Sequence, residues 1–176
     1  MNKLNEKIVE ILKQHPEGED FFDALDAMVR GDMDILTSFI TFAFNKIFDP
    51  SDRTLILTGQ FGIAMMNIYS DRLRSTFGDV ILINGGIRTG QEPIIYRESL
   101  PYPKCVMFDD SFYSGTTRDK IEDKLKLIHS GAKIVDTFVV YDGAVVKDDN
   151  VYSMFRYHKD PVPDISAIFE DDTFPL

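Results

Sequence analysis

The chain has 176 residues, 44% hydrophobic and 12% aromatic, enough to bury the core of one globular domain and too apolar for a disordered segment. A formal charge of −10 argues against general binding to nucleic acid or to an anionic membrane, both of which call for a basic surface. The single cysteine, Cys105, permits no intrachain disulfide, so a reducing, cytoplasmic setting is expected.

Leu4, Ile8, Ile11 and Leu12 recur at helical spacing, and His15-Pro16-Glu17-Gly18 ends that helix. This opening stretch is amphipathic and charged, unlike the apolar core of a signal peptide. A second helical stretch runs from Asp20 to Arg30 and breaks at Gly31-Asp32. A third, Met33 to Phe48, is rich in Phe and Ile, too short to span a bilayer, and reads as buried. Asp49-Pro50-Ser51-Asp52 is a turn. Residues 1–50 thus form a helical layer without evident chemistry.

From Arg53 the pattern alternates. Thr54 to Thr58 reads as a strand, Phe61 to Phe77 as a helix, and Asp79 to Ile83 and Lys104 to Phe108 as further strands. Thr116 to His129 is a helix with Ile121, Leu125 and Ile128 on one face and Gly131 at its end. Ile134 to Tyr141 is a fourth strand. This order predicts a single α/β domain, a parallel sheet with helices on both faces, with core sheet 54–141 and a small C-terminal hood 142–176. In such sheets ligands collect at the carboxyl ends of the strands.

At one such end stands Cys105-Val-Met-Phe-Asp-Asp-Ser-Phe-Tyr-Ser-Gly-Thr-Thr117. An apolar strand ends in Asp109 and Asp110, a turn of small hydroxylated residues follows, and a helix opens. The free amides of a helix N-terminus and its dipole make a phosphate cradle. Ser114, Thr116 and Thr117 add hydroxyl donors, and Gly115 lets backbone approach an oxygen closely. The acids can accept from sugar hydroxyls or hold a hydrated metal, so the pair of sites suits a phosphorylated pentose. A P-loop is absent, and Gly85, Gly86 and Gly90 lack the spacing of a dinucleotide fold.

These residues resemble the signature of the type I phosphoribosyltransferases: an apolar strand, two acids, three variable residues, Thr or Ser, Gly, any residue, Thr. Every fixed position is filled. The resemblance implies that Tyr113, Ser114, Gly115, Thr116 and Thr117 bind the 5-phosphate of phosphoribosyl diphosphate, and that Asp109 and Asp110 meet the ribose hydroxyls. It also implies that the turn at Gly59 and Gln60 binds the diphosphate leaving group. Mg²⁺ is the expected cofactor, supported by Asp109 and Asp110 directly or through water.

The long connection Asn84 to Pro103 carries Arg88 and Arg97, suited to bidentate contact with phosphate oxygens, where the family has a flexible lid. Val162 to Ala167 with Phe174-Pro175 resembles the hood of some 6-oxopurine members. Two features depart from those members: Tyr113 stands where they carry an acid, and Tyr141-Asp142 where they use a lysine. The resemblance thus implies transfer of ribose 5-phosphate from phosphoribosyl diphosphate to a nitrogenous base by a homodimeric enzyme. The alternative is a regulatory protein that binds phosphoribosyl diphosphate or a nucleotide and catalyses nothing.

Overall fold

The structure, a computed structural model, describes residues 3–14, 24, 27–29, 31–83, 92–144 and 147–156. Two helices come first, α1 (Lys3–Gln14) and α2 (Met33–Phe44). Asp32 caps α2, its carboxylate accepting from the Asp34 and Ile35 amides at 2.9 and 3.3 Å. A short 3₁₀ turn at Pro50–Asp52 leads into β1 (Thr54–Thr58), α3 (Gly59–Thr76), β2 (Asp79–Ile83), β3 (Lys104–Phe112), α4 (Thr116–Ile128), β4 (Lys133–Asp142) and β5 (Val151–Arg156).

All five strands are parallel and lie in the order β2-β1-β3-β4-β5. Alternate side chains feed two cores. Leu55, Leu57, Val106, Phe108 and Phe138 pack against α2 and α3, while Ile56, Ile81, Cys105 and Met107 pack against Ile121 and Leu125 of α4. Helices therefore cover both faces. Edge-to-face rings tighten the first core, with Phe108 5.2 Å from Phe39 and 5.8 Å from Phe138. Gly62 brings α3 close to β1, since a Cβ there would lie 2.8 Å from the Leu57 carbonyl carbon.

The α/β architecture is the one the sequence predicts, with differences at the ends of elements. β3 does not stop at Phe108: it runs through the acids to Phe112, because β4 pairs with it as far as Phe112↔Asp142. The third helix ends at Phe44, where Asn45 caps it, rather than at Phe48. β5 was not expected; it forms within the segment read as hood because β4 offers a free edge to Val151–Arg156. Of the second helical stretch only Ala24 and residues 27–29 are described, all helical. Residues 157–176, with His158 and the expected hood motif, lie outside the described residues.

This topology fixes where a crevice opens. The chain steps outward from β1 to β2, then returns to the other side of β1 for β3, so the β1–β3 border is a switch point. β1 pairs with β3 only as far as Leu57↔Phe108, and beyond it Thr58 turns into α3 while β3 continues through Asp109.

Candidate functional site

Gly115 closes the turn after β3 in the left-handed region, at φ +77°, and α4 starts at Thr116. The first intrahelical bond of α4 runs from the Asp119 amide to the Gly115 carbonyl at 2.9 Å. The amides of Thr116, Thr117 and Arg118 precede it in the first turn, and that of Thr116 donates to Ser114 Oγ at 3.4 Å. The hydroxyls of Ser114 and Thr116 lie 2.8 Å apart, so one fixes the orientation of the other. A cavity of about 310 Å³ opens here, lined by Asp109, Ser111 and all of residues 112–118. The structure thus brings Asp109 and the hydroxylated turn into one space.

The acids are set apart by the pleat yet still interact. Asp109 lines the cavity; Asp110 is buried. Burial, then the charge and the hydrogen bond of Asp110, push the Asp109 carboxyl well above the usual carboxylate range, against weaker lowering by Thr58 and by the Asp110 amide. That amide donates to Asp109 Oδ1 at 2.9 Å. A desolvated carboxylate beside a second one is a place where a cation or a pair of hydroxyl donors lowers the free energy. Among the described residues no group of three or more His, Cys, Asp or Glu side chains could hold a metal. Two carboxylates alone would leave most of the six positions of a Mg²⁺ to water or to a ligand's oxygens.

Gly59 begins α3 at φ +58°, and Gln60 beside it is exposed. Thr58 ties this turn to the acids: its hydroxyl lies 3.2 Å from the Phe108 carbonyl and also meets the Asp109 carboxyl. Tyr113 packs against the main core, its ring 5.9 Å from Tyr141 and flat against Gly143. Cys105 is buried, its thiol pushed up to about 12 by burial first and nearby acids second, so it is inert.

Arg97 requires a correction. Its guanidinium holds Asp79 Oδ1 at 3.0 Å and the Val80 carbonyl at 3.2 Å, at the amino end of β2. The cradle stands at the opposite, carboxyl edge, a strand's length away, on the order of 15 Å. The reason is topological: a chain crossing to a parallel strand returns to the amino edge before the strand begins. Arg88 lies outside the described residues. The basic residue that does line the cavity is Arg118, which sequence reasoning passed over. It follows Gly115 by one helical turn, a spacing that puts both on one side of α4. Arg118 also walls a second cavity of about 650 Å³, with Phe112, Tyr113, Ala144 and the 147–150 connection.

No family model matches this chain, and no curated protein sequence matches it. Solved structures of similar outline include the xanthine-guanine-hypoxanthine phosphoribosyltransferase of Helicobacter pylori, 12% identical, with a TM-score of 0.47 over 72% of this chain and 88% of that one. A purine phosphoribosyltransferase of Pyrococcus horikoshii is 15% identical, with a TM-score of 0.43 over 69% of this chain and 80% of that one. A hypoxanthine phosphoribosyltransferase of Staphylococcus aureus is 13% identical, with a TM-score of 0.38 over 89% and 76%. Likenesses this distant decide nothing about chemistry, which has to be argued from the site. No described helix is long and apolar enough to cross a membrane.

Proposed function

We propose that this protein transfers ribose 5-phosphate from phosphoribosyl diphosphate to a nitrogenous base, purine or pyrimidine, releasing diphosphate. One observation carries the reading: a half-buried carboxylate at the end of a central strand, its proton held more tightly by desolvation and by a second acid beside it, shares a cavity with a hydroxylated helix N-terminus led by a left-handed glycine. In this reading Tyr113 to Thr117 hold the 5-phosphate through amides and hydroxyls, and Asp109 with Asp110 accepts from the ribose 2- and 3-hydroxyls. Gly59 and Gln60 would meet the leaving diphosphate in the β1–α3 turn, which Thr58 joins to Asp109.

The C1–O bond breaks through an oxocarbenium-like state, so positioning and charge stabilisation do most of the work. Asp109 and Asp110 would hold Mg²⁺ directly or through water, and the ion would supply charge neutralisation for the departing diphosphate. Asp109 stands half-buried in the cradle cavity, where fewer waters compete for the hydroxyls it would accept from.

A second reading, a non-catalytic binder of phosphoribosyl diphosphate or a nucleotide, is favoured by one fact. Arg97, expected in a lid, is engaged at the far edge of the sheet. Mass spectrometry of products after incubation with phosphoribosyl diphosphate, Mg²⁺ and a panel of bases separates the two. A nucleotide product establishes the enzyme; binding without consumption establishes the regulator; no binding removes both.

A further inference from the structure

We propose that Arg118 is a phosphate-binding residue of the cradle and that Asp148, from the connection between β4 and β5, positions its guanidinium. This rests on the reading of the cradle as a phosphate site. Arg118 Nη2 lies 3.5 Å from the point where a Cβ on Gly115 would stand, which is the space above the glycine that a ligand oxygen would use. Three contacts hold it there. Nη1 bonds Asp148 Oδ2 at 2.6 Å, Nε lies 3.7 Å from Asp119 Oδ1, and the guanidinium sits 5.2 Å over the Phe112 ring.

A guanidinium is a rigid planar fork, so fixing one edge aims the other. Here the edge bonded to Asp148 faces the 147–150 connection, and the remaining Nη2 faces the turn at Gly115. A solvated surface arginine has no reason to be so constrained, since a half-buried ion pair gains little by itself. Pre-orientation lowers the entropy that an arginine otherwise loses on gripping an anion. Among the described residues that line the cradle cavity, Arg118 is also the only Lys or Arg. In a chain of formal charge −10, that single cation is the side-chain charge a phosphate would meet.

Titration calorimetry with ribose 5-phosphate tests this on wild type, Arg118→Met, Arg118→Lys and Asp148→Asn. Arg118→Met is expected to weaken binding roughly 10- to 150-fold, the range of a lost charge-assisted hydrogen bond. Asp148→Asn frees one edge of the fork and is expected to weaken binding about three- to tenfold, and not to weaken it further when added to Arg118→Met. If the ion pair is only a brace for the fold, Asp148→Asn weakens binding by the same factor with and without Arg118→Met, which overturns the proposal. Should Arg118→Met not fold, Arg118→Lys decides: it keeps stem and charge but loses the fork, for an expected loss of about three- to tenfold. Wild-type affinity in either Arg118 variant overturns the proposal and leaves the cradle reading standing. If wild type binds neither ribose 5-phosphate nor inorganic phosphate, the cradle reading falls and this proposal with it.

Discussion

Two glycines with left-handed backbone allow strain to be separated from ligand contact. Gly115→Ala and Gly59→Ala both force an L side chain to a positive φ, +77° and +58°. That conformation costs a residue with a Cβ about 1–2 kcal/mol, partly offset by about 0.4–1 kcal/mol from the lower entropy of the unfolded alanine variant. A new Cβ at Gly59 meets nothing within 4 Å, and at Gly115 it meets Phe112 Cζ at 3.4 Å and Arg118 Nη2 at 3.5 Å, which is ordinary contact. Both variants should therefore lose roughly 1 kcal/mol in urea denaturation. They should part company in calorimetry with ribose 5-phosphate, a ligand without the diphosphate that Gly59 would meet. Gly115→Ala puts a methyl where a phosphate oxygen sits and should weaken binding roughly tenfold or more, whereas Gly59→Ala should stay within about twofold. Equal affinities in the two variants would refute the placement of the phosphate.

Gly143→Ala should reach the cradle indirectly. Its Cβ would stand 2.4 Å from Tyr113 Cε1 and 2.9 Å from Tyr141 Cε1, so the Tyr113 ring must swing out, at about 1–3 kcal/mol; near-ultraviolet circular dichroism should change and ribose 5-phosphate affinity fall. Asp109→Asn with Asp110→Asn should abolish turnover without lowering the thermal midpoint, because it removes the buried like-charge contact that raises Asp109; near-wild-type turnover would sink the assignment of the acids. Burial raises the Asp148 carboxyl, but the Asn150 amide and the Arg118 guanidinium together hold it below the usual range. Its contribution to stability is thus present above the ordinary aspartate pKa and lost as pH falls through the depressed one. Urea midpoints measured from pH 7 down to about 3 should fall less steeply in Asp148→Asn than in wild type; identical acid limbs would contradict it.

The sheet was legible where strands are continuous apolar runs, as at Thr54–Thr58, where all five residues are buried, and at Asp79–Ile83, where Val80, Ile81 and Ile83 are. The end of β3 was not. Asp109-Asp110-Ser111 reads as turn chemistry, and only the hydrogen-bonding partner opposite, Ser111↔Tyr141, makes it strand. β5 was hidden for the same reason, since a short segment carrying Ser153 between apolar residues pairs only because β4 has an open edge. The helix start at Thr116 was readable because glycine and hydroxylated residues act locally. Arg97 was misplaced for want of one rule already implied by parallel strands: the last part of a crossover belongs to the amino edge. Arg118 could have been found from its i+3 spacing to Gly115.

An acidic chain that holds an anion has to separate local geometry from long-range field. The side chains lining the cradle carry one cation, Arg118, and that cation already faces Asp148 at 2.6 Å and Asp119 at 3.7 Å. Net side-chain charge therefore adds little attraction at a distance, and at short range the backbone amides of the helix N-terminus act together with the Nη2 of Arg118. Beyond about a Debye length, some 8–10 Å, an approaching polyanion meets only the field of a chain with formal charge −10. Such a field slows the approach of a bare diphosphate more than that of one already paired with a divalent cation. Asp109 and Asp110, unfavourable neighbours to each other, become favourable neighbours to that ion. On the proposed function, the acidic surface, the paired carboxylates and the amide cradle are parts of one selectivity, for a phosphorylated sugar that arrives with its charge partly neutralised by metal.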